Sequence, residues 1–351
     1  MLVAFLMTLT TVAFMISALL TQHLSRPQAF IYIIDIPNDR SLHQQPTPLN
    51  GGIAVLVAFI LTSIVACAVF IPQDENILWI GATVFVVAAI SLLDDYRTVA
   101  AKYRLLVHFS AAILLLFQTD LWIETINFAD LHLQLSSFWQ VSLSLLFVIW
   151  MINLYNFMDG MDGFAGGMAV MGFGSFALLG WFANDISFTV LNLLIASAAT
   201  GFLVFNFPPA RIFMGDVGSS SLGLLAAAFS LWGNRDGIFP LWIAILLFSP
   251  FIIDATVTLL KRVGRGEKVW QAHRTHYYQR LVQLGWGHKR TVLCEYGLML
   301  ACALSAIIAN FLSPSVQITI MLIWLGIYAI LMNAVDRLEQ QRITSRELNE
   351  I

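Results

Sequence analysis

Four stretches of this chain place residues at spacings suited to chemistry. Asp94 and Asp95 are adjacent, and Asn156, Asp159 and Asp162 recur every three residues in "NFMDGMDG". Asp216 opens "DVGSSS", and His273 and His276 bracket "HRTH". Adjacent carboxylates repel, so one is driven towards its neutral form unless a cation sits between them. The aspartate pair therefore fits a magnesium or proton-handling site. Ion pairing with Arg97, Lys102 and Arg104 at a solvated helix end would explain it as well. Asn156, Asp159 and Asp162 suit either ligation or local turn hydrogen bonds. Gly160, Gly163, Gly166 and Gly167 allow the close backbone approach that phosphate sites need. Asp216 precedes Gly218 and three serines where a helix begins. Ser219 or a neighbour serves there as its cap, or the free amides take a phosphate whose Mg²⁺ the carboxylate holds. Arg211 adds positive charge nearby. "HRTH" lacks the Cys or Glu partners of a zinc site and reads as a phosphate-binding or substrate-orienting pair of imidazoles, or as a solvated basic loop. Asp254 is expected to pair with Lys261 or Arg262, without a role of its own.

These groups sit in an apolar chain. Of 351 residues, 59% are hydrophobic and 11% charged, against about 25% charged in soluble domains. A carboxylate left in hydrocarbon costs roughly 2.5 to 3.5 kcal/mol or more, so such residues belong at a membrane edge or in a site. A helix crosses a bilayer in about 20 apolar residues. Eleven runs qualify: 2–20, 49–71, 77–93, 104–118, 138–155, 164–182, 187–205, 218–232, 238–258, 293–311 and 315–333. The first lacks a basic flank and a small-residue cleavage site, which predicts a retained helix rather than a signal peptide. Cys67, Cys294 and Cys302 fall in apolar runs without a CxxC pair and are expected in the core. The fold class is thus all-α and polytopic.

Basic residues mark the cytoplasmic side. With the N-terminus outside, 17 of the 18 Lys and Arg fall in the inner segments 21–48, 94–103, 156–163, 206–217 and 259–292, at Arg104, or in the C-terminal tail; only Arg235 lies outside. The polar clusters all fall on that inner face, as an active site assembled from loops would. The chain reads as one membrane-embedded domain over 1–351.

Taken in order, "RSLHQQPTPLNGG", "DD", "NFMDGMDG", "NFPPARIFMGDVGS" and "HRTH" resemble the polyprenyl-phosphate N-acetylhexosamine-1-phosphate transferases. The resemblance runs from about Asp35 to Gln279. It implies transfer of a sugar 1-phosphate from a UDP-sugar to undecaprenyl phosphate, releasing UMP, with Mg²⁺ as cofactor and Mn²⁺ as a substitute. By that resemblance Asp94 and Asp95 match the family's paired catalytic aspartates, and Asp159, His273 and His276 join them in the catalytic set. Asp216 matches the magnesium-binding aspartate, and Asn156 an asparagine whose amide oxygen lies near the metal. Asp162 and Phe213 fall where the uracil is held and stacked; Asn206 and Arg211 complete the substrate-binding set.

Two departures bear on the substrate. Members acting on the muramoyl pentapeptide carry a lysine where Gln45 stands and three consecutive histidines where this chain has "HRTH". Both features look more like the subgroup that starts O-antigen or capsule synthesis with an N-acetylated amino sugar. The implied setting is the bacterial inner membrane with a cytoplasmic active site, the lipid bilayer as partner, a homodimer as the assembly, and no nucleic acid. The rivals are a muramoyl-pentapeptide phosphotransferase and a secondary transporter; transporters bind at the bilayer midplane and carry repeats, whereas here the carboxylates crowd one face and no repeat is visible.

Overall fold

The computed structural model describes residues 2–38, 41–71, 74–268 and 273–349. In chain order they form α1 (Leu2–Leu24), β1 (Ile34–Asp35), β2 (Thr47–Pro48), α2 (Gly51–Val69), α3 (Glu75–Tyr96) and α4 (Ala101–Thr119). Then come β3 (Thr125–Phe128), β4 (Leu131–Gln134), α5 (Ser137–Phe157), α6 (Phe164–Phe182), α7 (Ile186–Asn206) and α8 (Gly215–Arg235). The last part holds α9 (Leu241–Leu247), α10 (Ser249–Gly264), α11 (Tyr277–Leu281), a π-helical turn (Val282–Trp286), α12 (Gly287–Ala309) and α13 (Pro314–Asn349).

Each of the eleven apolar runs is helical, and the chain is a multi-pass membrane protein. Among the described residues eight helices are long and apolar enough to cross a bilayer, nine if α9 and α10 count as one. The run expected as one span over 238–258 is broken: α9 and α10 meet at 80°. Pro250 sits in the first turn of α10; having no amide hydrogen, it suits a helix start and not a helix interior. The final run continues past 333 as helix to Asn349. Its polar extension is held by ion pairs from Asp336 to Lys261 at 2.8 Å and to Arg280 at 2.6 Å.

α8 organises the bundle. Every residue from Val217 to Gly233 is buried, because α3, α5 and α2 pack around it. A helix enclosed by other helices needs no lipid-facing side chains, and small residues let its neighbours approach. This is why α8 tolerates Ser219, Ser220 and Ser221. Its 21 residues span roughly 30 Å, the thickness of the hydrocarbon core. At its far end Arg235 pairs with Asp236 at 2.7 Å and donates to the Thr119 carbonyl at 3.1 Å. Around the ends of α9 the core is aromatic, with Phe176 of α6 stacked on Phe239 at 5.2 Å and tilted against Phe248 at 5.6 Å.

Two small sheets interrupt the all-α plan. The connection between α4 and α5 contains an antiparallel hairpin, with β3 paired to β4 from Thr125–Gln134 to Phe128–Leu131. Its tip is tight enough to force Ala129 to φ 52°. β1 pairs with β2 through Ile34–Pro48 and Asp35–Thr47. Cys302 is buried, but Cys294 is exposed and Cys67 half-buried; Cys294 thus corrects the expectation that all three are core residues.

Candidate active site

The start of α8 is where the dispersed motifs converge. The Thr47–Pro48 strand and the first turn of α2 dock on the loop before α8. Phe213 donates its amide to the Pro48 carbonyl at 2.7 Å, Gly51 to the Phe213 carbonyl at 2.9 Å and Gly52 to the Met214 carbonyl at 2.8 Å. The two helices touch so closely that a Cβ on Gly52 would lie 2.3 Å from the Gly218 Cα. Gly215 has φ +75°, and a Cβ there would fall 2.2 Å from the Leu49 carbonyl oxygen. Helix α8 thus begins at Gly215, three residues before the expected 218, and Asp216 lies in its first turn.

Asp95, not a serine, caps this helix. Its two carboxylate oxygens accept from the amides of Asp216 at 3.0 Å and Val217 at 3.3 Å. Ser219 instead donates to the Gly215 carbonyl at 3.0 Å and accepts from Asn156 at 3.1 Å. Asp94 pairs with Arg104, whose same nitrogen reaches Asp216 Oδ2 at 3.1 Å, and it accepts from the Val99 amide at 2.7 Å. Asn156 Nδ2 donates to Asp216 Oδ1 at 2.8 Å. Burial first, then the charges of Asp216 and Asp95, hold the Asp159 carboxyl well above the usual carboxylate range. Four carboxylates, Asp94, Asp95, Asp159 and Asp216, therefore gather at the start of α8, and two of them, Asp94 and Asp216, share the Arg104 guanidinium.

Two cavities meet at this cluster. The first, about 350 Å³, is lined by Asp159, Asp162, Asn206, Phe213 and His288, with Asp35 and His43 from the β1–β2 region. The second, about 400 Å³, is lined by Arg104, His108, His273 and His276 and by the apolar Leu105, Phe157, Ala255 and Leu259. Asn156 and Asp216 line both.

In the first cavity Asp162 is fixed by the Ala210 amide at 3.0 Å and lies 2.9 Å from His288 Nδ1. Asn206 is a latch: its oxygen accepts from Gly163 N and its nitrogen donates to the Ile212 carbonyl, both at 2.9 Å. The Phe213 ring meets His43 edge-on at 4.9 Å. Arg211 is not brought in; it is exposed, stacks over Phe205 at 5.8 Å and lines neither cavity. The glycines from 160 to 167 are crowded by side chains. A Cβ on Gly160 would meet the Tyr278 hydroxyl at 2.3 Å, one on Gly163 the Tyr296 hydroxyl at 3.1 Å, one on Gly166 Leu203 at 3.3 Å, and one on Gly167 the Tyr296 ring at 2.1 Å. These glycines admit neighbouring side chains, and Gly160 also lines the first cavity.

In the second cavity His273 and His276 lie 4.8 Å apart, ring to ring. Burial, then His276 and Arg262, press the His273 imidazole down to about 4; its Nδ1 accepts from the Thr275 amide at 3.3 Å and lies 2.9 Å from Thr275 Oγ1.

A family model described as glycosyl transferase family 4 matches residues 77–234. A decaprenyl-phosphate N-acetylglucosaminephosphotransferase of Mycobacterium leprae is 31% identical over 314 residues, covering 79% of this chain and 77% of the relative. The chain belongs to glycosyl transferase family 4. A probable undecaprenyl-phosphate N-acetylglucosaminyl 1-phosphate transferase of Bacillus subtilis is 27% identical over 93% of this chain and 87% of its own length. A phospho-N-acetylmuramoyl-pentapeptide-transferase of Staphylococcus saprophyticus is 28% identical over 70% and 79% respectively. The matched region begins in α3 and ends in α8, so it contains both the aspartate pair and Asp216.

The donor set can be weighed against a divalent cation. Among the described residues no three His, Cys, Asp or Glu side chains form a metal cage. Mg²⁺ does not need one: it keeps several waters and takes one or two carboxylates plus substrate phosphates. Asp216 fits that pattern, with surplus negative charge around it, and a half-turn of the Asn156 amide would present its oxygen instead of its nitrogen. Two residues that line these cavities, His108 and His288, are not singled out by the sequence; Arg104, which the sequence offers as an ion-pair partner for the aspartates, does pair with Asp94. His108 and His288 carry no signal, since only folding brings them to the cavities.

Proposed function

We propose that this transferase moves an N-acetylated amino sugar 1-phosphate from a UDP-sugar to undecaprenyl phosphate and releases UMP, at the cytoplasmic face of the bacterial inner membrane. The observation that carries the reading is the pair of cavities sharing Asn156 and Asp216 as a common wall. A two-substrate transfer needs its reacting phosphates side by side, and positioning of that kind supplies much of the rate.

The UDP-sugar occupies the first cavity, its base between Phe213 and Asp162 and its diphosphate directed at Asp216. The lipid phosphate occupies the second, beside Arg104 and the two histidines, with its tail along Leu105, Phe157, Ala255 and Leu259. An oxygen of the lipid phosphate attacks the sugar-bearing phosphorus; the bond from that phosphorus to the bridging oxygen breaks, and UMP carries the bridging oxygen away. Joining two anions calls for charge neutralisation. Asp216 and Asn156 would hold Mg²⁺, which supplies it at the diphosphate. Arg104 exchanges a carboxylate for the acceptor phosphate, leaving Asp94 to take that phosphate's proton. The relatives named for N-acetylglucosamine, with Gln45 and "HRTH" in this chain, favour an N-acetylated hexosamine over the muramoyl pentapeptide, in a pathway such as O-antigen or capsule synthesis.

The experiment is incubation of the membrane-reconstituted protein with undecaprenyl phosphate, Mg²⁺ and a panel of UDP-sugars, following UMP. Release that depends on both lipid and sugar is expected with UDP-N-acetylhexosamines. No UMP from any donor rejects the reading, and release with the muramoyl pentapeptide donor alone reassigns the pathway.

A further inference from the structure

Asp254 lies on α10, beyond the 80° bend, and is 8% exposed. The pairing expected from sequence does not occur: Lys261 goes to Asp336 at 2.8 Å and Arg262 to Glu267 at 2.7 Å. The carboxylate faces "HRTH" instead. Its Oδ1 accepts from His276 Nδ1 at 3.2 Å, the Tyr277 amide at 3.0 Å and Thr258 Oγ1 at 3.1 Å; its Oδ2 accepts from the Tyr278 amide at 3.1 Å.

The two amide bonds satisfy groups that the start of α11 would otherwise leave free, and they tie the loop carrying "HRTH" to α10. A cap needs no more than that. The bond to the imidazole is additional, and it has a chemical consequence. An ionised carboxylate only accepts hydrogen bonds, so His276 must carry its proton on Nδ1; Nε2 is then the nitrogen left for the second cavity, which His276 lines. The ring has little freedom to turn. It is 4% exposed and stacks with Phe157 at 6.3 Å and Tyr278 at 5.9 Å. Its backbone amide is also held, by Gln279 Oε1 at 3.3 Å. A buried carboxylate that fixes tautomer and ring orientation is how enzymes prepare an imidazole for one task.

We propose that Asp254 is a positioning residue that acts through His276, fixing the Nδ1–H tautomer so that Nε2 meets the acceptor's phosphate. This rests on the transferase reading above. The test is a double-mutant cycle on the full-length protein in lipid nanodiscs, using Asp254→Asn, His276→Ala and the double variant. UMP release is measured with UDP-N-acetylglucosamine and undecaprenyl phosphate, and donor binding is measured without acceptor. Asp254→Asn is expected to lower kcat by about tenfold to a hundredfold with donor KM and donor binding unchanged. In the His276→Ala background it should cost no further turnover, since the two act as one unit. Losses that multiply in the double variant, a donor KM that rises in step with the fall in kcat, or wild-type turnover in His276→Ala would each overturn the proposal. If Asp254→Asn loses donor binding through misfolding, Thr258→Val removes one bond to Oδ1 and leaves the cap. It should lower kcat by about twofold to tenfold, and only when His276 is present; an equal loss without His276 again overturns it. A wild-type protein that releases no UMP from any UDP-sugar rejects the transferase reading, whereas an active wild type with multiplying losses rejects only the role of Asp254.

Discussion

Asn156 Nδ2 donates to Asp216 Oδ1 across 2.8 Å, joining the end of α5 to the first turn of α8 at the wall between two cavities. The second oxygen of Asp216 goes to Arg104 at 3.1 Å, and Arg104 also holds Asp94. One guanidinium thus links the acidic residues of α3 and α8.

That linkage separates two roles. Asp216→Ala should lower transfer by about a hundredfold or more and remove the Mg²⁺ dependence of UDP-sugar binding. Asp216→Asn should be nearly as damaging, because Mg²⁺ favours charged oxygen ligands. Asp94→Asn should stop transfer while leaving Mg²⁺-dependent donor binding largely intact. Binding isotherms with and without Mg²⁺, alongside turnover, check all three; loss of binding in Asp94→Asn with retention in Asp216→Ala would reverse the assignment.

Asp159 carries a conflict that a mutation can relieve. Its carboxyl is held above the usual range by burial and by Asp216 and Asp95, so its ionisation opposes folding. Stability from this group is present at low pH and is lost as pH rises through the elevated value. In EDTA at alkaline pH, Asp159→Asn should melt higher than wild type, by about 2–4 °C for each kcal/mol of repulsion removed, and it should be inactive. A melting temperature at or below that of wild type would show that the repulsion is already compensated.

His273 titrates in the opposite sense. Its imidazole is pressed from 6.5 down to about 4, so the unfolded chain binds the proton first as pH falls. Its contribution to stability is complete above pH 6.5 and is lost as pH drops towards 4. The stability difference between wild type and His273→Ala should therefore shrink across that window in denaturant titrations. A difference independent of pH would place the imidazole in open solvent.

Gly215 is irreplaceable for two reasons that add. Its φ of +75° is strained for any residue with a side chain, and a Cβ would collide with Leu49. The dihedral alone costs about 1–3 kcal/mol. Gly215→Ala should lose donor binding as the α8 start shifts, whereas Gly264→Ala, where a Cβ meets nothing within 4 Å, should bind normally.

Orientation is testable from the 17-to-1 division of basic residues. In a cysteine-free background Arg265→Cys should react with a membrane-impermeant maleimide only from the cytoplasmic side, and Asp130→Cys only from outside. Reversed labelling would invert the topology.

Much of this architecture was legible beforehand, for identifiable reasons. Apolar runs announce helices because lipid leaves the backbone no alternative; each of the eleven holds helix, though among the described residues eight or nine helices are long and apolar enough to cross a bilayer. The break after Phe248 is masked by the apolar run, which carries on across Pro250, although a proline suits a helix start and not an interior. The β3–β4 hairpin was hidden because Ala129, not glycine, takes the positive φ at its tip. Most polar clusters did converge, but the partners differ. Asp95 looks in sequence like half of a charged pair and serves as a cap; Asp254 has cations nearby in sequence and reaches instead 22 residues along the chain to His276. Such long-range partners follow from packing, which a linear pattern does not contain.

The bend between α9 and α10 bears on how the enzyme meets a very long acceptor. α10 supplies Ala255 and Leu259 to a cavity of about 400 Å³, the room taken by about thirteen water molecules. A polyprenyl chain is far larger. Lifting it wholly from lipid into protein would gain nothing, since each methylene is worth about 0.8 kcal/mol in either apolar setting and forfeits that in water. Only the phosphate and the nearest isoprene units then need leave the bilayer, and the remaining tail stays dissolved in its own solvent. If the proposed acceptor cavity holds, recognition is confined to the head, and acceptors differing by one or several isoprene units should turn over alike.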